Sequence, residues 1–341
     1  MSLAINGRFL SQRVTGVERY AREVLARSAE LASVVTPRHP IRGMRGHLWE
    51  QSVLPARVGR DLLWSPCNTG PLAVSRQVVT IHDCAFYDQP EGFTRKFAAW
   101  YQFLVPKLAR RIRRIITISQ FSRERLLDYC QVAPEKIVVI PQGVDRRFQP
   151  LSREVIAATR AQLQLPERYV LFVGNLAPRK NLLRLLEAWS MVSPRFSDIS
   201  LVLVGAANQV FRDAGLRQPP PSVVTAGYVA DEHLPAVYGG AECFAFPSLY
   251  EGFGLPVLEA MACGIPVLSS NVTSLPEVAG DAALLVDPYD VEALAAGLDQ
   301  LLADEVLRQD LSRRGLERAA QFTWERTATA TWQVLEETAA A

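Results

Sequence analysis

The chain has 341 residues, of which 49% are hydrophobic and 21% are charged, and its formal net charge is +2. This composition is typical of a globular protein long enough for two domains, and it excludes a general affinity for polyanions. The five scattered cysteines form no Cys-x-x-Cys pair, which argues against a disulfide framework or a zinc site. The sequence has neither a signal-peptide pattern nor the ~18 consecutive apolar residues of a transmembrane helix. We therefore expect a cytoplasmic protein.

Short runs of β-branched and aromatic residues alternate along the chain with segments of helical periodicity. A short strand in "LAINGRF" comes first, and the later runs are continuously apolar, as in buried parallel strands. These runs cover residues 77–83, 114–119, 136–143, 169–175, 199–205, 222–227, 242–248 and 265–270. Residues 181–192 and 291–303 have helical apolar spacing. The alternation predicts doubly wound α/β sheets.

Two such sheets fit the pattern better than one. The first series of strands ends within "VVIPQGVDRRFQP", a polar helix-prone stretch follows, and a second series begins at Tyr169. We predict an N-terminal domain over residues 1–155, a second domain over 156–320 and a final helical segment over 321–341. Trp324 and Trp332 in that last segment are expected to pack back on the body.

Loops in the first half follow predicted strands, where open α/β sheets bind their ligands. In "RVTGVERYARE", Gly16 opens a helix, and a simple turn is the alternative. In "TIHDCAFYDQP", His82 and Asp83 end an apolar strand, and a structural histidine is the alternative. Ser119 ends a later strand, and Ser122 is expected to cap the next helix.

Residues 93–125 hold nine lysines and arginines and one acid, and Phe97, Trp100, Tyr101 and Phe103 are interleaved with the cations. Such a segment is typical of a surface that binds an anionic membrane, which would suit an acceptor anchored by a lipid diphosphate. A solvated helix face with an apolar core side is the alternative. Nucleic-acid binding is disfavoured, because no recognition motif accompanies the charge.

The second half contains two candidate phosphate-binding loops. In "YVLFVGNLAPRKNLLRLLEAW", Arg179 and Lys180 lie just before a helix, and cations beside a helix N-terminus predict an anion site. In "FPSLYEGFGLPVLEAMACG", Pro256 is suited to the first turn of a helix and Gly264 to the left-handed residue that ends it. The backbone amides at that helix start are free to bind a phosphate.

Two glutamates flank this second loop. Glu251 lies in the glycine-rich stretch and Glu259 in the helix that follows. A carboxylate accepts hydrogen bonds from hydroxyls, as the acidic residue of dinucleotide folds does for a ribose. Two such carboxylates beside a phosphate site describe a nucleotide-sugar ligand. Either glutamate alone is more often a surface residue, but the combination with Arg179 and Lys180 favours binding.

The stretch "PSLYEGFGLPVLEAMACGIPVLSSNVTSLPEVAGDAALLVDP" resembles the donor-binding signature of the retaining glycosyltransferases of family 4, whose Glu-x7-Glu hallmark is matched by Glu251 and Glu259. "VGNLAPRKN" resembles the Arg-Lys loop of that family, and the likeness runs over most of residues 76–304. It implies the α/β GT-B fold, with two Rossmann-like doubly wound domains that face a cleft and a C-terminal helix that crosses back to the first domain.

The resemblance also implies roles for individual residues. Arg179 and Lys180 would hold the donor diphosphate, Glu251 the hydroxyls of the transferred sugar and Glu259 the ribose, while His82 would lie beside the reaction centre. The expected catalytic residues are His82, Arg179, Lys180 and Glu251. The expected donor-binding residues are Gly16, Gly174, Arg179, Lys180, Phe253, Gly254, Leu255 and Glu259, and Asp83 is expected on the acceptor side.

The expected reaction is a metal-independent transfer with retention of anomeric configuration. The sequence has no Asp-x-Asp motif, the usual chelator of a metal-bound diphosphate, so cations and a helix end would neutralise the leaving group. We expect a same-face attack in which the departing diphosphate helps to deprotonate the acceptor. Apart from the nucleotide-sugar co-substrate, we expect no cofactor and no metal.

The donor and acceptor are less closely defined by the sequence. "HLWEQSVLPARV" and "LLWSPCNTGPL" resemble segments of bacterial mannosyl- and rhamnosyltransferases of surface polysaccharide assembly, including lipopolysaccharide. This favours GDP-mannose over a UDP-hexose and a glycan or lipid-linked acceptor, with peripheral binding at the inner face of the plasma membrane if the basic segment contacts lipid. The alternatives are a related sugar-nucleotide epimerase or phosphorylase, or an inactive nucleotide-sugar-binding homologue.

Overall fold

The protein is described from a computed structural model that covers residues 3–12, 14–27, 32–41, 43–175, 177–205 and 222–341. The chain divides into two compact units. The N-terminal unit contains Met1–Gly143 and Phe322–Ala341, and the C-terminal unit contains Val144–Gln321.

The N-terminal unit contains a six-stranded parallel sheet with the order β2-β1-β3-β4-β5-β6 among the described residues. Its strands are β1 (Leu3–Asn6), β2 (Ser33–Val35), β3 (Leu62–Ser65), β4 (Gln77–Thr80), β5 (Arg114–Thr117) and β6 (Ile137–Val139). Its helices are α1 (Gly16–Ala26), α2 (Gly43–Val58), α3 (Ala85–Asp88), α4 (Arg95–Arg111), α5 (Gln120–Cys130) and the last helix of the chain, α13 (Trp324–Ala340).

The last helix, α13, is part of the core of the N-terminal unit, where it packs against α1 and β3. Trp324 and Trp332 are both buried, and their rings meet Tyr20 and Trp64 edge to face with centroids 6.3 Å apart. Gly143 passes so close to this helix that a Cβ there would lie 2.1 Å from the Trp324 nitrogen. The end of the chain therefore completes a core that begins with β1.

The C-terminal unit contains a second six-stranded parallel sheet, in the order β12-β11-β10-β7-β8-β9 within the described ranges. Its strands are β7 (Tyr169–Val173), β8 (Ser200–Val204), β9 (Val223–Gly227), β10 (Cys243–Phe246), β11 (Val267–Ser270) and β12 (Leu284–Val286). Its helices are α6 (Arg153–Gln162), α7 (Leu182–Val192), α8 (Leu234–Gly239), α9 (Leu255–Ala262), α10 (Leu275–Ala279), α11 (Val291–Ala303) and α12 (Glu305–Ala319).

These two sheets confirm the predicted α/β class with two doubly wound domains. Strands β2, β3 and β12 were not predicted. The second unit begins at Val144, so the predicted division between residues 155 and 156 would cut α6. That helix belongs to the second unit because Ile156 packs against Gly239 and Gly240 at the end of α8.

Candidate active site

Three charged side chains meet at the carboxyl end of the sheet of the C-terminal unit. Arg179 and Lys180 end a short 3-10 turn after β7, and Glu251 lies in the loop after β10, the neighbouring strand. The Lys180 Nζ is 2.5 Å from Glu251 Oε1, and an Arg179 guanidinium nitrogen is 3.2 Å from the same oxygen. The structure thus brings together three of the four predicted catalytic residues in one ion cluster.

The cluster is largely buried, since Lys180 is 7% exposed and Glu251 is 8% exposed. Burial by itself would raise the pKa of the Glu251 carboxyl, but the Lys180 ammonium, the Arg179 guanidinium and the Ser248 hydroxyl together hold that pKa below its usual value. Glu251 is therefore ionised at neutral pH. Its charge holds the two cations in place, so the site has two positive groups already fixed for an anionic ligand.

The Glu251 loop is held by its neighbours. The Ser274 hydroxyl contacts the carbonyl oxygens of Glu251 and Phe253 at 2.9 and 2.8 Å, and Thr273 Oγ1 accepts from the Glu251 amide at 3.4 Å. Thr273 has φ +60°, an uncommon conformation for a β-branched residue. The two residues that precede α10 thus fix the backbone of the loop after β10 by hydrogen bonds.

Helix α9 begins directly after this loop. Gly254 precedes the helix with φ +115°, and a Cβ there would lie 2.7 Å from Leu275 Cδ2, so the turn requires glycine. Pro256 lies in the first turn, and Gly264 has φ +76° after the helix, which confirms both positional predictions. The first amides of a helix have no intrahelical partner, so the amide of Leu255 is placed to donate to a ligand.

Glu259 lies one turn further along α9 and is half-buried. The Tyr238 hydroxyl, which is fully buried, donates to Glu259 Oε2 across 3.0 Å. The Tyr238 ring packs edge to face against Phe148 and Phe244. Glu259 therefore has a fixed orientation beside the N-terminus of α9.

Two glycines lie side by side where β7 and β8 end. The Gly174 amide donates to the Val204 carbonyl at 3.0 Å, and Gly205, with φ +80°, has no room for a Cβ because the Gly174 carbonyl oxygen would be 2.7 Å away. Predicted site residue Gly174 therefore lies at the carboxyl edge of the same sheet as Arg179 and Glu251.

In the N-terminal unit, His82 follows β4 and is only 2% exposed. Its Nε2 is 2.9 Å from the Pro66 carbonyl oxygen, and its Nδ1 is 3.2 Å from Gln142 Nε2. Its amide donates to Asn68 Oδ1, and its carbonyl accepts from the Ser122 hydroxyl. Every polar group of His82 is thus bonded inside this unit.

Burial lowers the pKa of the His82 imidazole from its ordinary 6.5 to about 4, although the Pro66 carbonyl favours the protonated form. The ring is neutral at physiological pH. The prediction for Ser122 was wrong: Ser119 caps α5 by accepting from the Ser122 amide at 3.0 Å. The Ser122 hydroxyl is thereby left to fix the His82 backbone.

Asp83 lies in the loop after β4, and Gly16 lies at the start of α1. Asp83 Oδ1 accepts from the amide of Ala85, the first residue of α3, at 3.0 Å. Gly16 begins α1, whose N-terminus is closed by a capping box between Thr15 and Glu18. A Cβ on Gly16 would meet nothing within 4 Å.

The basic segment forms mainly the surface of α4. Among the described residues, no carboxylate pairs with the five cations of this helix: Arg95, Lys96, Lys107, Arg110 and Arg111. Arg125, in contrast, lies 2.6 Å from Asp88 and 2.7 Å from Asp128, so its charge is neutralised. No helix in the described part of the chain is long and apolar enough to span a bilayer.

Sequence reasoning missed four residues that complete these sites. Ser248 and Thr273 contact Glu251, Tyr238 contacts Glu259, and Gln142 contacts His82. Ser248 and Thr273 lie within the quoted family signature, and the position of Ser248 next to the strand end was a usable signal. Tyr238 and Gln142 lie outside that signature, and only the fold brings them to their partners.

Two parallel doubly wound sheets, with a cationic loop and two glutamates at the carboxyl edge of the second, define a glycosyltransferase of the GT-B class. Two family models match the chain: Glycosyltransferase Family 4 over residues 63–148 and Glycosyl transferases group 1 over residues 156–318. Together with the relatives described next, these matches show that the chain belongs to glycosyltransferase family 4.

One relative, the O-antigen chain mannosyltransferase B of Escherichia coli, is 35% identical over 268 residues, or 76% of this chain and 70% of the relative. The serotype-specific mannosyltransferase WbdA of Escherichia coli is 32% identical over 238 residues, which are 67% of this chain but 29% of WbdA. The crystal structure of Anabaena HepE with UDP and glucose matches with a TM-score of 0.78 at 20% identity, over 98% of this chain and 99% of HepE. That last match supports the fold.

Proposed function

We propose that this protein is a retaining, metal-independent mannosyltransferase that transfers mannose from GDP-mannose to a glycan or lipid-linked acceptor in the assembly of a surface polysaccharide such as an O-antigen. The observation that carries the proposal is the cluster of Arg179, Lys180 and Glu251 beside the N-terminus of α9. It combines cations for a diphosphate with a carboxylate for sugar hydroxyls.

The donor binds in this proposal across the carboxyl edge of the C-terminal sheet. Arg179 and Lys180 contact the diphosphate, and the amides of Phe253, Gly254 and Leu255 donate to its oxygens. Glu259 accepts from the ribose hydroxyls, and Glu251 accepts from the mannose. Gly174 and Gly205 leave the backbone uncovered, so a ligand can approach the strand ends closely.

The transfer step forms a bond between the acceptor oxygen and the anomeric carbon on the face that the diphosphate leaves. The bond from the anomeric carbon to the diphosphate oxygen breaks, and its electron pair stays on that oxygen. The same oxygen takes the acceptor proton. Arg179 and Lys180 stabilise the charge that develops on the diphosphate, which is the electrostatic contribution of the site to catalysis.

Glu251 does not act as the covalent nucleophile in this proposal. Its Oε1 is already shared by Lys180, Arg179 and Ser248, and its pKa is held low, so it is a weak base and a fixed hydrogen-bond acceptor. We propose that His82 acts as an uncharged imidazole and not as an acid or a base, because both of its ring nitrogens are bonded within the N-terminal unit. Asp83 is assigned to the acceptor side.

Mannose is favoured over other sugars because the two curated relatives described above carry mannosyltransferase names. HepE, in contrast, has UDP and glucose in its structure, and UDP-glucose is therefore the second donor to test. A thermal-shift screen against GDP, UDP, ADP and dTDP identifies the base, because a ligand that binds only the folded state stabilises it.

Product analysis tests the proposal directly. With the donor selected by the screen and EDTA present, we expect transfer to a mannose-terminated acceptor and an α-linked product from the α-linked donor. A β-linked product would contradict retention, and loss of turnover in EDTA that added Mg²⁺ restores would contradict metal independence. Donor hydrolysis or transfer of any kind would exclude the inactive homologue.

We also propose that α4 binds the anionic face of a membrane. Its cations have no carboxylate partners among the described residues, Phe97 is 36% exposed, and Phe103 is 50% exposed with the Lys107 Nζ 3.5 Å from its ring centroid. Lys107, Arg110, Arg111 and Leu72 line an open groove of about 520 Å³. Cations and apolar rings on one helix are what a headgroup layer attracts.

Vesicle co-sedimentation tests the membrane proposal. We expect binding to phosphatidylglycerol vesicles that weakens with salt, and a strong reduction when Lys107, Arg110 and Arg111 are all replaced by glutamine. The matched control replaces Arg313 and Arg314 of α12, which pair with Asp310, and should leave binding unchanged. Equal binding by both variants would exclude α4 as the contact.

A further inference from the structure

The two oxygens of the Glu251 carboxylate have different surroundings. Lys180 Nζ at 2.5 Å, Ser248 Oγ at 2.6 Å and an Arg179 nitrogen at 3.2 Å all converge on Oε1. Within the described ranges, no group bonds Oε2. That atom is also not among the buried polar atoms that lack a partner, so it keeps some access to solvent. Oε1 therefore has three partners within the protein, and Oε2 is available to accept a hydrogen bond from a ligand.

Ser248 has the shortest side chain of the three partners of Oε1. It is fully buried two residues after β10, whereas Lys180 and Arg179 reach the carboxylate through long side chains. Its single proton has three candidate acceptors: Glu251 Oε1 at 2.6 Å, the Arg179 carbonyl at 2.9 Å and the Tyr250 carbonyl at 3.4 Å. The carboxylate is the shortest and the only charged one, so it takes the proton.

The two cations cannot hold the carboxylate in its orientation once a donor is bound. A diphosphate carries more charge than Glu251 and competes for Arg179 and Lys180. The terminal torsion of a glutamate is broad, so a carboxylate without a fixed partner rotates. Ser248 is uncharged and has no such competitor, so its bond to Oε1 persists in the complex.

We propose that Ser248 is a positioning residue for sugar recognition. It holds Glu251 Oε1 toward the cations and thereby presents Oε2 to one hydroxyl of the transferred sugar. This inference rests on the proposed function, because it requires Glu251 to receive the sugar. It adds separate roles for the two carboxylate oxygens of Glu251. It also adds Ser248 as a residue that influences the donor only through Glu251.

The test compares Ser248→Ala with Ser269→Ala in the full chain. Ser269 is equally buried in the C-terminal unit and donates to the Phe246 carbonyl at 3.2 Å, with no contact to Glu251. Calorimetry with GDP and GDP-mannose, or the corresponding pair that the nucleotide screen selects, measures the sugar contribution. We expect Ser248→Ala to leave GDP binding unchanged and to weaken GDP-mannose binding about tenfold, as for one hydrogen bond to a charged group. Ser269→Ala should change neither.

Deoxygenated donors separate positioning from general damage. For the donor analogue that lacks the hydroxyl bound by Oε2, the Ser248→Ala variant and the wild type should bind equally well, whereas the other deoxy analogues keep the difference. Ser248→Cys keeps the side-chain volume with a weak donor, and it repeats the test if the alanine variant melts well below the Ser269→Ala control. Equal weakening of GDP and GDP-mannose, a loss common to all analogues, or behaviour like Ser269→Ala would overturn the inference.

Glu251→Gln distinguishes this inference from the proposed function. If Glu251→Gln removes the preference for GDP-mannose and Ser248→Ala does not, Ser248 has no positioning role and the donor site stands. If Glu251→Gln itself leaves GDP-mannose binding unchanged, the proposed sugar contact fails, and the inference fails with it.

Discussion

Gln142 donates a hydrogen bond to His82 Nδ1 across 3.2 Å, and this contact fixes the protonation of the imidazole. Nε2 faces the Pro66 carbonyl at 2.9 Å, and a carbonyl only accepts, so the proton lies on Nε2. Protonation of Nδ1 would place two donors against each other. The geometry and the lowered pKa thus agree that His82 is a neutral residue.

This neutral state predicts a pH dependence of stability. The folded-state pKa of His82 is about 4 and its ordinary value is 6.5, so the unfolded chain binds the proton first as the pH falls. The stabilisation is present above pH 6.5 and is lost between there and pH 4, with a total of about 3 kcal/mol. Urea unfolding followed by tryptophan fluorescence at pH 7.5 and 4.5 should show that loss, and His82→Gln should remove it.

The control for this experiment is His39→Gln, because His39 is exposed. That variant should keep the wild-type dependence on pH. If His82→Gln and the wild type lose the same stability between the two pH values, His82 is not buried in its neutral form. A pH dependence of activity with an inflection near pH 6 that disappears in His82→Gln would contradict the claim that His82 stays uncharged during turnover.

Glu259 and Tyr238 predict an effect confined to the nucleotide. Glu259→Gln removes the charge that accepts from the ribose and should weaken GDP binding about tenfold, since bonds to a charged group contribute about 1.5–3 kcal/mol. Tyr238→Phe removes the hydrogen bond to Glu259 Oε2 and should weaken GDP binding by less than Glu259→Gln does. Calorimetry against Tyr289→Phe, an exposed tyrosine of the same unit, provides the comparison. Unchanged affinity in Glu259→Gln would remove the ribose assignment.

Gly254 and Gly16 predict opposite results on substitution by alanine. Gly254→Ala forces a Cβ to within 2.7 Å of Leu275 at φ +115° and should destabilise the C-terminal unit by about 1–3 kcal/mol. A Cβ at Gly16 has open space around it, so the free energy of unfolding of Gly16→Ala should be within about 0.5 kcal/mol of the wild-type value. If the donor approaches Gly16, as predicted, the turnover of the Gly16→Ala variant should nevertheless fall. Full turnover in Gly16→Ala would withdraw Gly16 from the donor site.

Much of the fold could be predicted because buried parallel strands are continuous apolar runs, as at Tyr169–Val173. The charged cluster was predictable for a similar reason: Arg179, Lys180 and Glu251 each follow such a strand, and parallel strands end at the same edge. The order of the strands, with β10 beside β7, was not predictable, and it is this order that places Glu251 against Lys180.

Two partners of the site residues, Gln142 and Tyr238, could not be predicted, since they come from segments far from the residues they contact. Gln142 lies 60 residues after His82, and Tyr238 lies 21 residues before Glu259. Neither glutamine nor tyrosine has a local pattern that marks such a contact. The same holds for the neutral state of His82, which depends on burial by elements that include Tyr20 of α1.

Binding of GDP and GDP-mannose to Lys180→Gln and Glu251→Gln tests the central claim most directly. Lys180→Gln removes a cation from the diphosphate site and should weaken both ligands about tenfold or more. Glu251→Gln removes only the sugar contact and an internal counter-ion, so GDP should bind at least as tightly as to the wild type while GDP-mannose loses its advantage. Equal weakening of GDP by the two substitutions, or no change in either, would contradict the division of the site into a cationic diphosphate half and a carboxylate sugar half.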